Sequence, residues 1–562
     1  MTDTRKRTLC WLLAALMTAA LMLFVLLYTD IRFDVNDDPT IQRSFLGYET
    51  GEPAAFHIYI HGLLAWPLHW LGVLFPGKPW FACMQLALLA LSCTVMAKSV
   101  MQCFVQYGKS LLAGAAVSAA FLIAFCMKYL IFITFTQTSA FLGAAAAAQL
   151  LSIDPKGKAR RVITGTAGSL ALVCLSYALR QESLLPVTAF CAIAFASLLA
   201  AGGARLVRPM AVSLAVIVLA FAGMLGWRAL ELHAHGAQAY AAYDESRREV
   251  MDYIGIQNVD EEAFEKAGWD DATVSMAAEW CFLDPDITEE SFRILAEHTR
   301  SRDPRTLTEK LEEAWKLELK TLRQSRLDMR CYGVMLSAAL CCLALAALKR
   351  DLRLFLSLPA FAGLSAVLIF CLAWMGRIPV RALVVASLPG AAACLCLLPG
   401  CLPQKRALAA LCCAALVAAC GWSFRKTIPF LPVGEEAHQP TVLSELEAYA
   451  LSEPESLFLF DNSIGNDDRN AFPSYSDGVP SNVCSWGGWE MKSPDNLRQF
   501  ERFGIDLMHF SPQDLQNGRV YLASAQAEPP AVLLSWLRSR TGADVHYEKH
   551  AEFGAVTIFR FD

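Results

Sequence analysis

Charge is scarce in this chain: Asp, Glu, Lys and Arg make up 18% of its 562 residues, against 55% hydrophobic residues and a mean hydropathy of +0.38. So apolar a composition excludes an ordinary soluble protein and makes lipid its main solvent. No glycine-rich loop of the kind that cradles phosphates is present, which argues against an ATP-driven mechanism within the chain. No low-complexity tract or internal repeat is visible either, and the missing repeat weighs against the paired broken helices of a two-halved transporter. Nineteen cysteines occur, but most sit in apolar runs, such as Cys341, Cys342, Cys412 and Cys413, where a thiol packs as a small hydrophobe. With only a few in polar segments, such as Cys281 and Cys484, neither a disulfide framework nor a zinc spacing emerges.

Long apolar runs are what the sequence does have. A hydrocarbon core of about 30 Å takes roughly 20 helical residues to cross, and a backbone in lipid must satisfy its own hydrogen bonds, so these runs are predicted to be helices. Residues 8–28 follow Arg5, Lys6 and Arg7; the run is longer than a signal-peptide core and lacks a small-residue cleavage site, so a retained first span is expected. Basic clusters mark cytoplasmic loops. Beyond the N-terminal one they are Lys156, Lys158, Arg160 and Arg161; Arg205 and Arg208; Lys349, Arg350 and Arg353; and Lys405 and Arg406. Spans are then expected at 80–97, 110–128, 134–151, 162–179, 184–200, 209–230, 331–348, 354–374, 379–399 and 407–424, about eleven in all. This places the chain in the cell membrane as a multi-pass protein, with its N-terminus cytoplasmic and its C-terminal domain extracytoplasmic. Residues 57–75 are also apolar, but their His57, His61, His69, Trp66, Trp70 and Pro67 suit a helix lying in the interface, and a further crossing would break the charge parity.

The expected organisation is an N-terminal membrane module at 1–230 with a first outer loop at 29–79, an extracytoplasmic helical insert at 231–330, further membrane helices at 331–424 and an extracytoplasmic α/β domain at 425–562. The insert is read as helical because apolar residues recur at helical spacing among Glu, Lys, Arg and Ala. In the tail, helix-like runs at 442–451, 495–503 and 531–538 alternate with strand-like runs at 456–460, 520–523 and 555–561.

Four places bring ionisable groups to the outer face. Directly after the first span come Asp34, Asp37 and Asp38; a carboxylate there can act as general base or hold a divalent cation. A structural reading of Asp38 is also available, as an N-cap with Pro39 at the first helical position. His57 follows as an interfacial anchor or a substrate contact. Arg180 and Glu182 share one short outer turn, and Arg377 and Arg381 another, where the positive-inside trend predicts no cations. The arginine fork matches phosphate oxygens, so Arg180, Glu182, Arg377 and Arg381 are candidate substrate-binding residues; the plain alternative is mutual pairing and snorkelling to headgroups. In the tail, Asn466, Asp467 and Asp468 repeat the first loop's tripeptide, and Trp486-Gly487-Gly488-Trp489 offers aromatic faces of the kind that stack on sugars.

The first span, the acid-opened outer loop, the interfacial helix, the many further spans and the outer C-terminal domain together resemble the GT-C class of polytopic membrane glycosyltransferases. The stretch from Asn36-Asp37-Asp38 through Gly47, Thr50-Gly51-Glu52-Pro53 and His57 to Pro76-Gly77-Lys78-Pro79-Trp80 is similar to polytopic membrane proteins of Gram-positive bacteria. The GT-C resemblance implies an acidic residue of the first outer loop, here Asp37 or Asp38, as catalytic base or as ligand of a divalent cation, magnesium or manganese. It also implies a polyprenyl-phosphate-linked sugar as donor and an envelope glycan or lipid as acceptor, with membrane lipid as surroundings and no nucleic-acid partner. A WWD-type motif is absent from the tail and a KPP-type signature from the outer loop, so what carries over is class and not substrate. A lipid or polysaccharide transporter or flippase, and a non-catalytic envelope-binding protein, are the competing readings.

Overall fold

The computed structural model describes residues 3–302, 305–324, 339–340, 342–346, 352–431, 441–464, 469–473, 475 and 478–562. Among them, nine helices are long and apolar enough to cross a membrane: Arg5–Tyr28, Trp80–Gln106, Leu111–Ile131, Ala159–Leu179, Gln181–Gly202, Ala204–Ala234, Leu354–Trp374, Val380–Cys401 and Arg406–Arg425. The chain is therefore a polytopic membrane protein, and these helices fall on nine of the expected spans. The span expected at 331–348 lies largely outside the described residues, as do Lys349, Arg350 and the tripeptide at 466–468. The one expected at 134–151 is the 17-residue helix Phe135–Leu151, buried along nearly its whole length. Its alanine run lets Trp80–Gln106, Ala159–Leu179, Leu184–Gly202 and Val380–Cys401 pack against it.

Residues 57–75 are helical only over Gly62–Leu74. Thirteen residues span about 20 Å at 1.5 Å each, less than the hydrocarbon thickness. The helix starts late because His61 caps it, accepting from Leu63 N at 3.0 Å, so residues 57–61 form a non-helical lead-in. Upstream, strand β1 (Arg32–Phe33) pairs in parallel with β2 (Phe132–Ile133), which fixes the acidic segment beside the start of the central helix Phe135–Leu151.

In the tail a five-stranded sheet has the order β4-β3-β5-β7-β6, with β3 at Leu457–Phe460, β4 at Val483–Ser485, β5 at Val520–Ser524, β6 at Tyr547–Phe553 and β7 at Val556–Phe561. Strands β4, β3 and β5 are parallel, and the β6–β7 hairpin adds an antiparallel edge. Helices Val442–Ser452, Pro494–Arg502 and Ala531–Thr541 match the expected helical runs. The segment 231–324 shares one apolar core with this sheet: Tyr243, Phe282 and Phe292 pack in the same cluster as Leu459, Trp486 and Trp536. Asp284, fully buried, seals that junction by accepting from Trp536 Nε1 at 2.8 Å and pairing with Arg540 at 2.9 Å. Cys281 and Cys484 are buried here, and every described cysteine is free.

Candidate functional site

A cavity of about 780 Å³ opens where the ends of membrane helices, the insert and the sheet domain meet. Asp37 and Thr40 line it from helix Asp37–Leu46, Thr136 from the central helix, and Arg180 and Glu182 from the turn between Ala159–Leu179 and Leu184–Gly202. Arg377 and Arg381 come from the turn after Leu352–Trp374 and the first turn of Val380–Cys401. Gly376 makes that sharp reversal feasible, since its φ of +88° disfavours any side chain. Pro379 then fixes the entry to the next helix. Five residues expected from sequence to act on substrate, Asp37, Arg180, Glu182, Arg377 and Arg381, thus converge on one space.

Apart from the Trp486-Gly487-Gly488-Trp489 motif, sequence reasoning missed the rest of this wall. The insert supplies Arg247 and Arg248 from the end of helix Gln238–Arg248, Asp252 and Tyr253 from the π-helical turn Glu249–Ile254, and Trp280. The sheet domain supplies Asn462 after β3 and Ser485, Gly487, Gly488, Trp489 and Glu490 at the end of β4. Of the Trp486-Gly487-Gly488-Trp489 motif, Trp486 is buried in the shared core while Trp489 faces the cavity, its ring edge-on to Tyr59 at 4.9 Å. Gly487 is obligatory, because a Cβ there would lie 1.5 Å from the Trp280 carbonyl oxygen.

The cavity charges are linked, through buried Asp244, in an alternating chain. Arg180 lies 3.6 Å from Glu182, which pairs with Arg248 at 2.9 Å. Arg248 reaches Asp244 at 3.3 Å, Asp244 pairs with buried Arg247 at 2.7 Å, and Arg247 lies 3.8 Å from Asp252, which engages Arg377. Separately, Arg381 pairs with Asp37 at 2.9 Å. Arg180 also donates to Thr136 Oγ1 at 2.7 Å and stands over the Phe135 ring. Arg377 and Arg381, for which snorkelling to headgroups is the alternative to phosphate binding, are therefore both paired with carboxylates, and both line the cavity.

Two expected site residues stand elsewhere. His57 is buried behind the wall rather than lining it: its Nδ1 accepts from Tyr59 N at 3.1 Å and its ring meets the Trp489 edge at 5.4 Å. Burial, reinforced by nearby Arg228, lowers its pKa to about 3, so it is a neutral ring that supports Tyr59 and Trp489 from behind. Asp38 is fully buried and caps neither its own helix nor the cavity: helix Asp37–Leu46 begins one residue earlier, with Asn36 at the cap. Its Oδ1 accepts from Phe135 N and Gln85 Nε2, both at 2.8 Å, so it caps the central helix from outside. Asp37 is engaged by Arg381 and Asp38 by buried amides, and among the described residues no group of three His, Cys, Asp or Glu side chains is placed to hold a metal ion. Among the described residues this donor set does not fit a resident divalent cation.

Burial raises Asp38 from 3.8 to about 8, against the hydrogen bonds from Gln85 and Phe135. The folded protein therefore holds a proton there that the unfolded chain releases from about pH 4, and this contribution to stability falls as pH rises toward 8. Asp38→Asn keeps the Oδ1 acceptor without the ionisation, so it should melt at or above the parent at pH 8 and lose the slope between pH 5 and 8. Asp38→Ala should cost about 1–3 kcal/mol by stranding two buried donors. Thermal melts at the two pH values decide it; an Asn variant well below the parent at pH 8 would refute the assignment.

No family model matches the chain, and no curated protein matches it. Among solved structures it is similar to the crystal structure of ArnT from Cupriavidus metallidurans in the apo state, at 15% identity over 98% of this chain and 97% of that one, with a TM-score of 0.40.

Proposed function

We propose that this cavity is the active site of a membrane glycosyltransferase that moves a sugar from a polyprenyl-phosphate-linked donor to an envelope glycan or lipid acceptor on the outer face. One observation carries the reading: Arg180, Arg247, Arg248, Arg377 and Arg381 line a single cavity with Asp37, at the ends of membrane helices. A lipid-linked phosphate presents its oxygens at that depth, and arginine forks bind them in pairs. During transfer the anomeric carbon gains a bond to the acceptor oxygen and loses its bond to the phosphate oxygen, which leaves with the electron pair. Arg180, Arg377 and Arg381 stabilise that leaving phosphate, Trp489 and Trp280 offer faces to the sugar, and the acceptor's proton passes to a carboxylate. Asp37 enters in one of two ways, by taking that proton or by holding Arg381 against the phosphate. The outer-face assignment, with a cytoplasmic N-terminus, follows from the parity of the basic clusters. A transporter reading is less well supported, because the cavity's charges come from turns and extramembrane segments, not from mid-membrane.

The test is binding of undecaprenyl phosphate to the full-length protein in nanodiscs. Saturable binding is expected, and Arg377→Lys, which keeps the charge but loses the fork, should weaken it about tenfold, the equivalent of roughly 1.4 kcal/mol. Parent protein that binds no better than empty nanodiscs refutes the donor class, and an unchanged Arg377→Lys affinity reduces that arginine to headgroup anchoring.

A further inference from the structure

Four carboxylates line the cavity, and three of them are engaged: Asp37 by Arg381, Glu182 by Arg180 and Arg248, and Asp252 by Arg377 and Arg247. The fourth, Glu490, has neither a side-chain hydrogen bond nor an ion pair among the described residues, although it lines the same cavity as five arginines. An acid whose lone pairs are filled by a guanidinium is a poor acceptor for a proton; one left open beside bound substrate is a good one.

Its support is rigid on both sides. Upstream, Gly487 sits tight against the Trp280 carbonyl, with Gly488 N donating to that oxygen at 3.3 Å, and Tyr240 Oη donates to the Trp489 carbonyl. Downstream, buried Lys492 donates from Nζ to the carbonyls of Asp284 at 3.1 Å and Ile287 at 2.6 Å. The segment follows β4 beside the carboxyl end of β3, and loops after parallel strands are where open α/β sheets place their ligands. Arg180, Arg377 and Arg381 from the membrane side and an open acid from the sheet side thus line a single space, as a phosphate leaving group and an incoming hydroxyl require.

We infer that Glu490 is the general base that takes the acceptor's proton, which leaves Asp37 to hold Arg381 at the donor phosphate. The inference rests on the sugar-transfer reading above. In the balanced step, the acceptor O–H gives its proton to the Glu490 carboxylate as the oxygen bonds to the anomeric carbon, and the bond from that carbon to the phosphate oxygen breaks with its electron pair on the phosphate. The surroundings of Glu490 suit a base: partial burial lifts its carboxyl to about 7 against the attraction of Arg43, and Glu49, Tyr240 and Cys484 also face it. A carboxylate in that range accepts protons efficiently near neutral pH.

The test uses full-length protein in nanodiscs and a panel of polyprenyl-monophosphate pentoses and hexoses, scored for turnover from pH 5 to 9, with undecaprenyl phosphate binding measured alongside. The parent's turnover should rise with pH through about 7, as the base loses its proton. Glu490→Gln should lose that limb and about a hundredfold or more in turnover, with undecaprenyl phosphate affinity within about twofold of the parent. Glu490→Asp, which keeps a shorter carboxylate, should retain both the limb and part of the rate. A Glu490→Gln variant within about threefold of the parent, with the acid limb intact, overturns the inference while leaving the sugar-transfer reading in place. If both variants unfold, the carboxylate is structural and the inference falls; if the parent binds no undecaprenyl phosphate and turns over no donor, the broader reading falls with it.

Discussion

Asp37→Asn is expected to lower sugar transfer about a hundredfold or more while leaving the protein folded and its affinity for undecaprenyl phosphate intact or higher. The reasoning starts from the ion pair with Arg381 at 2.9 Å, in which both side chains are about one-fifth exposed. The amide isostere keeps the shape but withdraws the charge that fixes the guanidinium. A freed Arg381 still attracts the phosphate of a bound donor, so ground-state binding does not suffer. What suffers is its alignment with the bridging oxygen as charge develops there, a loss that falls on turnover. Asp38→Asn, one residue on, should be nearly silent in the same assay. Equal and full activity in both variants would remove this loop from the chemistry.

That contrast between neighbours shows what the sequence could and could not disclose. Asp37 and Asp38 are alike as text, but on a helix successive residues point about 100° apart. One turns to the cavity and the other to the Phe135 amide, and nothing local says which, because the partner of Asp38 lies nearly a hundred residues away. The cations were readable where they broke a rule: Arg180, Arg377 and Arg381 occupy short turns in which the charge parity predicts none. Arg247 and Arg248 broke no rule, since they sit in an insert rich in ordinary surface charge, and only tertiary packing turns them inward. Glu490 was overlooked for the same reason.

Hydropathy exposed the membrane helices because lipid imposes a composition on whole runs, and it was least informative where no such solvent acts. Strand β4 has only three residues, and β6 is polar along most of its length, so neither shows strand periodicity. The competence of Asp37-Asp38-Pro39 as a capped helix start misled in a different way, because a good local solution was overridden by a distant one. His57 likewise looks interfacial by composition, yet the late start of helix Gly62–Leu74 folds it beneath Trp489.

Asp244→Ala should be the most destabilising single change near the site, at about 3–5 kcal/mol, the usual cost of leaving one charge of a buried pair behind. Asp244 and Arg247 are 3% and 2% exposed and 2.7 Å apart, so water cannot replace the lost partner. Asp244 also joins two elements: it accepts from Tyr59 Oη at 2.9 Å, in the non-helical lead-in before Gly62, and pairs within its own insert helix with Arg248 at 3.3 Å. Arg247→Ala should cost less, because Asp244 keeps Tyr59 and Arg248 while the vacated guanidinium leaves no buried cation. The asymmetry is the test, read as thermal unfolding of both variants in detergent. Equal losses would mean that Arg248 and Tyr59 contribute nothing at Asp244, and an unshifted melt for Asp244→Ala would mean that this buried pair does not hold the cavity wall together.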